Sequence, residues 1–286
     1  MTPAEEADFY TRQYNPRLSI PNFQDIFTRW ASQAAAARAA SPNAIFDLAY
    51  GKAAKETLDF FPASQPKAPL LVFIHGGYWR AMDKNDFSWV APPFVERGIN
   101  VAVVNYTLVP TVGIEDIVRQ MLSALTWLWH QASPLGFSRD RIVVSGHSAG
   151  GHLTGMMLAA RWRAWAADLP TDLVKGGVAL SALFDLRPFI KSPFFNDDFK
   201  LDDALARKLS PGLMSPATKA PLYTAVGGDE SAEFHRQNRM VAERWPSAFA
   251  GDIPAPGRNH LTVCDAFTEP SHALFETTVR LCKMLK

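Results

Sequence analysis

Residues 141–160 constrain the fold of this chain more than any other segment. A β-branched apolar run at 142–144 is typical of a buried strand, and the Ala-, Leu- and Met-rich run 149–160 predicts a helix. Between them lies Gly146-His147-Ser148-Ala149-Gly150, a Gly-x-Ser-x-Gly motif. A strand, a sharp turn and a helix in this order are the context of a nucleophile elbow, in which a strained turn holds the serine hydroxyl clear of the sheet. The glycines keep side chains away where strand and helix approach each other. We therefore predict that Ser148 is a nucleophile; the alternative is a glycine-rich turn with an incidental serine.

Strands and helices alternate along the rest of the chain. Apolar runs predict buried strands at 70–75, 99–106, 174–180 and 221–226, and helical patterns follow at 86–97, 114–131 and 232–244. Two short edge strands are expected at 44–50 and 57–61. This alternation indicates an α/β fold with a mostly parallel central sheet and helices on both faces.

The chain contains no internal repeat and no linker long enough to divide it, so we expect a single domain over 1–286. An N-terminal helical segment is expected over 1–42, with an amphipathic helix at 23–40 that could cover a sheet edge or lean over a pocket. The proline-rich stretch 184–216 interrupts the alternation and predicts a lid-like insertion near the carboxyl edge of the sheet, where open α/β folds bind ligands.

The charge balance argues against nucleic acid or an anionic membrane as a partner. The formal net charge is +1, from 29 basic and 28 acidic residues without a run of like charge. The acidic start does not predict a signal peptide, and no apolar stretch is long enough to span a bilayer. Cys264 and Cys282 lie in no metal or redox spacing, which fits a reducing compartment. We therefore expect a cytoplasmic protein with a small-molecule substrate, and a homodimer is left open.

No cofactor is expected. No Gly-x-Gly-x-x-Gly motif opens a helix after a strand, and no Walker-type lysine is present, so a nucleotide cofactor is not implied. His147 and His152 lack the His-Glu-x-x-His arrangement of a zinc site.

A serine hydroxyl needs a base, and the base needs an orienting acid. Since the acid and the histidine follow such an elbow in the chain, only His235, His260 and His272 are candidates. His235 lies inside a predicted helix and His272 begins another, whereas His260 follows a turn-rich loop after a predicted last strand. We expect His260 to be the base. For the acid, Asp229 and Glu230 both follow the strand 221–226, and a Gly-x-x-acid spacing from Gly227 favours Glu230 without excluding Asp229.

Two glycines after the strand 70–75 complete the pattern. Attack on a carbonyl creates an oxyanion that backbone N–H groups can stabilise. The N–H of Ala149 would be one donor, and the loop of Gly76 and Gly77 would supply the other. Tyr78 and Trp79 directly follow these glycines, which favours a substrate-facing role for both.

Three segments share a more specific pattern with one enzyme family. They are His75-Gly76-Gly77-Tyr78-Trp79, Phe184-Asp185-Leu186-Arg187-Pro188 continuing to Asn196, Leu201 and 209–211, and residues 227–237. Together with the opening Tyr14-Asn15-Pro16-Arg17 they span nearly the whole chain. On these residues the chain resembles the arylformamidase (kynurenine formamidase) branch of the α/β-hydrolases, which implies the α/β-hydrolase fold.

The resemblance also bears on the acid and the pocket. The family's acid stands three residues before a Glu-Phe pair, which implies Glu230 ahead of Glu233-Phe234. The better-known members carry aspartate there, and Asn259-His260-Leu261 departs from their His-Phe-Asp run, so the substrate pocket is expected to differ. Phe184 and Leu261 join Tyr78 and Trp79 as expected substrate-binding residues.

The implied reaction is hydrolysis of an N-formyl aryl amide, such as N-formylkynurenine, through a Ser148–His260–Glu230 triad and a formyl-enzyme. A carboxylesterase acting on short acyl esters with the same residues is the alternative. A hydrolase-like protein that binds a ligand without turnover is disfavoured by the intact Ser148, His260 and oxyanion loop.

Overall fold

The apolar runs form the centre of one eight-stranded sheet. The structure, a computed structural model, describes residues 1–284. The strands are β1 (Ile45–Ala49), β2 (Thr57–Phe61), β3 (Ala68–Ile74), β4 (Asn100–Val104), β5 (Phe137–His147), β6 (Gly176–Leu180), β7 (Leu222–Ala225) and β8 (Phe249–Asp252). Their order in the sheet is β1-β2-β4-β3-β5-β6-β7-β8, and all neighbours from β4 to β8 are parallel, whereas β1/β2 and β2/β4 are antiparallel. The predicted α/β fold with a mostly parallel sheet is confirmed.

Helices cover both faces of this sheet. They are α1 (Pro3–Tyr14), α2 (Phe23–Ala39), α3 (Ala91–Glu96), α4 (Ile114–Gln131), α5 (Ala149–Ala159), α6 (Trp162–Trp165), α7 (Pro193–Phe199), α8 (Asp203–Lys208), α9 (Ala232–Arg244), α10 (Val263–Thr268) and α11 (Ala273–Met284). No helix within residues 1–284 is long and apolar enough to cross a membrane.

The central strand β3 shows why both faces need covering. Its side chains alternate between the two faces, as in any strand. Val72 and Ile74 belong to the core shared with α4 and α5, whereas Leu71 and Phe73 belong to the core shared with α3, α10 and α11. All of its residues are buried. A continuous apolar run rather than an alternating one follows from burial on both sides.

Two local expectations were wrong. The strand β2 is not at the edge, because it pairs with β1 on one side and β4 on the other, a long-range pairing that the local pattern cannot reveal. The helix expected at 86–97 is a 3₁₀ segment, Lys84–Val90, followed by α3, since Pro92 and Pro93 lack the N–H groups that a continuous helix would need. The helix α1 lies within the N-terminal helical segment expected over 1–42, and Thr2 and Glu5 form a reciprocal capping box at its start.

The parallel strands place their following loops at one edge of the sheet. Residues 75–82 follow β3, the Ser148 turn follows β5, Ser181 follows β6, and residues 226–231 follow β7. Ligands bind at this carboxyl edge in open α/β sheets. The stretch 184–216 leaves the sheet after β6 and contains the 3₁₀ segments Arg187–Lys191 and Pro211–Leu213 together with α7 and α8.

Candidate active site

Ser148 stands on a strained turn between β5 and α5. Its φ is 55° and its ψ is −112°, and its N–H donates to the Leu180 carbonyl at 2.8 Å. A Cβ on Gly146 would lie 2.3 Å from the Gly150 oxygen, and a Cβ on Gly150 would lie 1.9 Å from the Ile74 oxygen. Both glycines are therefore required by the close approach of backbones, as the motif predicted. A positive φ at a serine is costly, and such strain persists only where the surroundings impose it.

The structure brings Glu230, rather than Asp229, to His260. Glu230 Oε2 lies 2.7 Å from His260 Nδ1, and neither side chain is more than 5% exposed. The other carboxylate oxygen of Glu230 accepts from Gly227 N at 2.6 Å and from the Ser181 hydroxyl. Asp229 is exposed to solvent. A proton on Nδ1 directed at the carboxylate leaves Nε2 of His260 free to accept a proton from a nucleophile.

The loops of Glu230 and His260 are joined by their backbones. Gly228 N donates to Ala255 O at 2.9 Å, and Asp229 N donates to Arg258 O at 3.0 Å. A Cβ on Gly227 would lie 2.3 Å from Arg258 O, so only glycine allows this approach. Next to His260, the Asn259 side chain accepts from the N–H groups of Leu261 and Thr262 at 3.0 Å and so fixes the start of α10. This turn explains why an asparagine precedes the histidine here.

Ser148 and His260 line the same cavity. Ser148 is 2% exposed, and its Oγ has no hydrogen-bond partner within residues 1–284. A buried hydroxyl without a partner is costly, and such groups in native structures call for an explanation such as catalysis. Hydrogen bonds between a nucleophile and its base are often long before substrate binds and shorten in the complex.

The glycine loop after β3 packs against the elbow. A Cβ on Gly76 would lie 3.3 Å from Ser148 Cβ, and Gly77, with φ +102°, lines the cavity. His75 supports this loop from below, because its ring stacks on Tyr106 at 4.3 Å, and the Tyr106 hydroxyl donates to the His75 carbonyl at 2.9 Å. Ala149 is the first residue of α5, and the first N–H groups of a helix have no partner within it. The three residues expected at the oxyanion hole therefore lie around Ser148.

The cavity has a volume of about 460 Å³. Besides Gly77, the elbow residues and His260, it is lined by residues from four parts of the chain: Asn15, Pro16, Arg17, Phe27 and Trp30; Tyr78, Arg80, Ala81 and Met82; Phe194; and Leu261. Most of this lining is apolar or aromatic, which suits an aryl group.

Two of the four expected substrate-binding residues do not reach the cavity. Tyr78 and Leu261 line it. Trp79 is fully buried behind it, against the rings of His152 at 5.0 Å and Phe199 at 5.4 Å, since Tyr78 and Trp79 both adopt positive φ and the chain turns inward. Phe184 is also fully buried, and its N–H donates to Gln237 Oε1 at 2.8 Å. Both expectations were wrong. For Trp79, proximity in sequence to the glycines does not decide which way the side chain points, and for Phe184 no local pattern shows that the ring is buried in the core.

His147 supports the site from within the elbow. Its Nε2 lies 2.7 Å from the His260 carbonyl, and the two rings are 4.8 Å apart. Burial, together with the neighbouring His260, holds the pKa of His147 well below its ordinary value. His147 is thus a neutral hydrogen-bond donor that fixes the backbone of the candidate base.

A buried polar cluster joins the segments that carry the family resemblance. The Tyr14 hydroxyl donates to Glu233 at 2.7 Å and accepts from Gln237 at 2.8 Å. Gln237 in turn accepts from the N–H groups of Phe184 and Asp185. Tyr78 donates to the Tyr14 carbonyl. These residues therefore form a scaffold that connects α1, the stretch 184–216, the acid loop and the glycine loop.

Several supporting residues were missed from the sequence. Ser181 and His147 bind groups of the acid–base pair, and Arg17 and Arg80 line the cavity. Ser181 had a usable signal, because it is the first residue after a buried strand, at the edge where functional loops meet. Arg80 had none, and Arg17 stood only in the segment 14–17 that carries the resemblance, since the neighbours of both residues in space are far away in sequence. Within residues 1–284, no three His, Cys, Asp or Glu side chains are grouped as a metal site would require.

Comparison with known proteins gives consistent matches. The family model BD-FAE matches residues 58–164. The chain is similar to kynurenine formamidase from Drosophila melanogaster, with 36% identity over 68% of this chain and 67% of the relative. It is also similar to kynurenine formamidase from Danio rerio, with 28% identity over 85% of this chain and 83% of the relative. A solved structure from Silicibacter sp. TM1040, described provisionally as a thioesterase, superposes with a TM-score of 0.82 and 31% identity over 93% of this chain and 97% of that one.

Proposed function

We propose, because this chain belongs to the kynurenine formamidase family of α/β-hydrolases, that it is a serine hydrolase that cleaves N-formyl aryl amides such as N-formylkynurenine. The observation that carries the proposal is the hydrogen bond of 2.7 Å between Glu230 and His260, with His260 and Ser148 lining one cavity with aromatic walls. The relatives named kynurenine formamidase supply the substrate class.

In the proposed reaction, Ser148 Oγ attacks the formyl carbon while His260 Nε2 takes the serine proton. Glu230 holds the imidazole in the required tautomer and stabilises the imidazolium. Backbone N–H groups of Ala149 and of the Gly76–Gly77 loop stabilise the oxyanion. His260 then gives its proton to the aryl nitrogen, the C–N bond breaks, and the arylamine leaves.

Water completes the cycle. His260 removes a proton from a water molecule as its oxygen attacks the formyl carbon. The imidazolium then returns this proton to Ser148 Oγ as the C–O bond of the formyl-enzyme breaks, which releases formate and the free serine. The formyl group is the smallest acyl group, so it fits the confined space beside Ser148, which is 2% exposed. The aryl part would lie against aromatic side chains of the cavity.

Ester hydrolysis by the same residues is the second candidate. It is supported by the solved relative described provisionally as a thioesterase, since acyl transfer from oxygen or sulfur uses the same nucleophile and oxyanion site.

The proposal is tested by steady-state hydrolysis of N-formylkynurenine and of p-nitrophenyl acetate. When kcat/KM is divided by the uncatalysed rate constant of each substrate, we expect the value for the formamide to exceed that for the ester. We expect kcat to fall roughly 10⁴-fold or more in Ser148→Ala on both substrates. Circular dichroism of the variant controls for folding. Turnover of the ester alone would assign the protein as an esterase, and full activity in Ser148→Ala would refute the triad.

The cytoplasmic location, the homodimer and the absence of a metal requirement stay predictions. The last of these predicts that dialysis against a chelator leaves hydrolysis unchanged. Activity that is lost on dialysis and regained with added metal would contradict it.

A further inference from the structure

The charged residues around the cavity are all of one sign. Two arginines, Arg17 and Arg80, line it, and within residues 1–284 no aspartate or glutamate does. Of the acid–base pair only His260 lines the cavity, and Glu230 lies on the far side of the His260 ring. A cavity that carries cations and no carboxylate on its wall favours an anionic ligand.

The two arginines differ in what holds them. Arg80 donates to the Asp198 carboxylate at 2.6 Å and to the Phe194 carbonyl at 2.9 Å, so its charge is compensated. Arg17 has no carboxylate within 4 Å in the part of the chain that the structure describes. It is therefore a cation at the cavity whose hydrogen-bond donors are free for a ligand.

Arg17 is nevertheless held in place. Its guanidinium carbon lies 5.5 Å from the centroid of the Phe23 ring and 5.9 Å from that of Phe27, a cavity-lining residue. The backbone N–H of Arg17 donates to Asn15 Oδ1 at 3.2 Å, and this hydrogen bond caps the start of the 3₁₀ turn Pro16–Leu18. Stacking on aromatic rings orients the planar guanidinium and leaves its edge free for hydrogen bonds.

The neighbouring residues tie this turn to the catalytic groups. The carbonyl of Tyr14 accepts from the Tyr78 hydroxyl in the glycine loop, and the carbonyl of Gln13 accepts from Ser231 Oγ at 2.6 Å, next to Glu230. Arg17 thus lies at a fixed position relative to the oxyanion loop and the acid.

We propose that Arg17 binds a carboxylate on the leaving-group side of the substrate. The inference rests on the proposed function, which it narrows to aryl substrates that carry an anionic group away from the scissile bond. A guanidinium presents two parallel N–H groups that match the two oxygens of a carboxylate. The amino-acid end of N-formylkynurenine carries such a group, whereas formanilide does not.

Two matched substrate pairs test this. The first is N-formylkynurenine and its primary carboxamide, and the second is 3-acetoxybenzoate and 3-acetoxybenzamide. The variants are Arg17→Met, which removes the charge at similar length, and Arg17→Lys, which keeps the charge without the fork. Arg12→Met is the matched control, because Arg12 is an exposed arginine of the same N-terminal segment that pairs with Asp8 outside the cavity.

We expect wild type and Arg12→Met to favour the carboxylate member of each pair by about tenfold in kcat/KM, mainly through KM. The ratio should fall to about one in Arg17→Met, should be intermediate in Arg17→Lys, and should shrink in wild type as salt is added, because Arg17 is exposed. A ratio that persists in Arg17→Met, or a wild type that does not discriminate, overturns the inference.

The two pairs separate this inference from the proposed function. If formamides are hydrolysed without preference for the carboxylate, the proposed function stands and the role of Arg17 is wrong. If formamides are not hydrolysed and the ester pair shows a preference that depends on Arg17, the proposed function fails and the role of Arg17 holds for esters.

Discussion

Two regions form the candidate site, and they are built differently. The catalytic edge consists of Ser148, Glu230 and His260 with the loops that follow the parallel strands. The N-terminal wall consists of Asn15, Pro16, Arg17, Phe27 and Trp30. On the catalytic edge the side chains of the acid–base pair are buried, and tight backbone contacts fix their loops. The wall is a 3₁₀ turn and one helix held by aromatic packing, with an exposed arginine. We infer that, in the proposed function, the edge performs the reaction on every substrate and the wall selects among substrates.

The largest effect is expected from Glu230→Gln, with Asp229→Asn as the matched control. A glutamine can still accept from Gly227 N and Ser181, but its amide would face His260 Nδ1 and favour the tautomer whose Nε2 cannot take a proton. We expect kcat to fall by roughly 10³- to 10⁴-fold on every substrate, anionic or neutral. Asp229→Asn should retain activity, because Asp229 is exposed. Steady-state kinetics on esters and formamides provide the measurement, and the reverse pattern would make Asp229 the acid.

The catalytic edge could largely be predicted from the sequence, for a local reason. The motif at 146–150 requires glycine at both ends because a Cβ there would clash with neighbouring backbone, so the two glycines in the sequence predict the close approach of strand and helix. Chain order and turn residues then led to His260, and a spacing rule led to Glu230. The supporting groups Ser181 and His147 were missed. The only signal for Ser181 was its place directly after a buried strand, and the hydrogen bonds of the two residues, to partners 49 and 113 positions away, leave no local pattern.

The N-terminal wall could not be predicted in the same way. The amphipathic pattern of α2 predicted a helix at 23–40, and the helix is Phe23–Ala39. What the pattern could not show is which surface the helix covers, because that depends on contacts such as Trp30 against Phe87 at 5.4 Å. The same limit explains the errors at Trp79 and Phe184, whose side chains point into the core.

The second test uses acid, because buried neutral histidines, His147 on β5 and His152 on α5, lie beside the catalytic edge, whereas the wall contains no histidine. Burial lowers the pKa of His152 to about 4 from an ordinary value of 6.5, although its hydrogen bond to the Leu209 carbonyl opposes the shift. The unfolded chain then binds a proton below pH 6.5 that the folded protein does not bind until about pH 4. Stability is therefore full above pH 6.5 and falls between these values, by roughly 3 kcal/mol for this residue.

Urea unfolding at pH 7 and pH 4.5 checks this expectation. His152→Gln should be less stable than wild type at pH 7, but its stability should depend less on pH. His130→Gln is the control, since His130 is exposed and pairs with Asp168 at the surface. An unchanged pH dependence in His152→Gln would contradict the assignment.

A smaller effect is expected from Ser181→Ala. Ser181 is a positioning residue, because its hydroxyl donates to the Glu230 oxygen that does not face His260. Its loss leaves the carboxylate with one donor fewer, which predicts a decrease in kcat of about tenfold with KM little changed. Ser145→Ala is the control, because it also removes a buried serine hydroxyl, one that donates to the Val178 carbonyl within the sheet. Equal loss of kcat in both variants would indicate general destabilisation instead of a role at Glu230.

The smallest effect is expected from a substitution in the wall, which should change KM and leave kcat nearly unchanged. Phe27 lines the cavity and packs against Trp30 at 5.7 Å, so Phe27→Leu keeps the apolar character and removes the flat ring. We expect KM for aryl formamides to rise about three- to fivefold, as the loss of an aromatic contact of about 1 kcal/mol predicts. The value of kcat, and all constants for a small substrate such as methyl acetate, should stay within about twofold, since that substrate does not reach the wall. A change in kcat on methyl acetate would mean that the wall also supports the catalytic edge, through Tyr14 and Tyr78, and that selection and chemistry are not separate in this molecule.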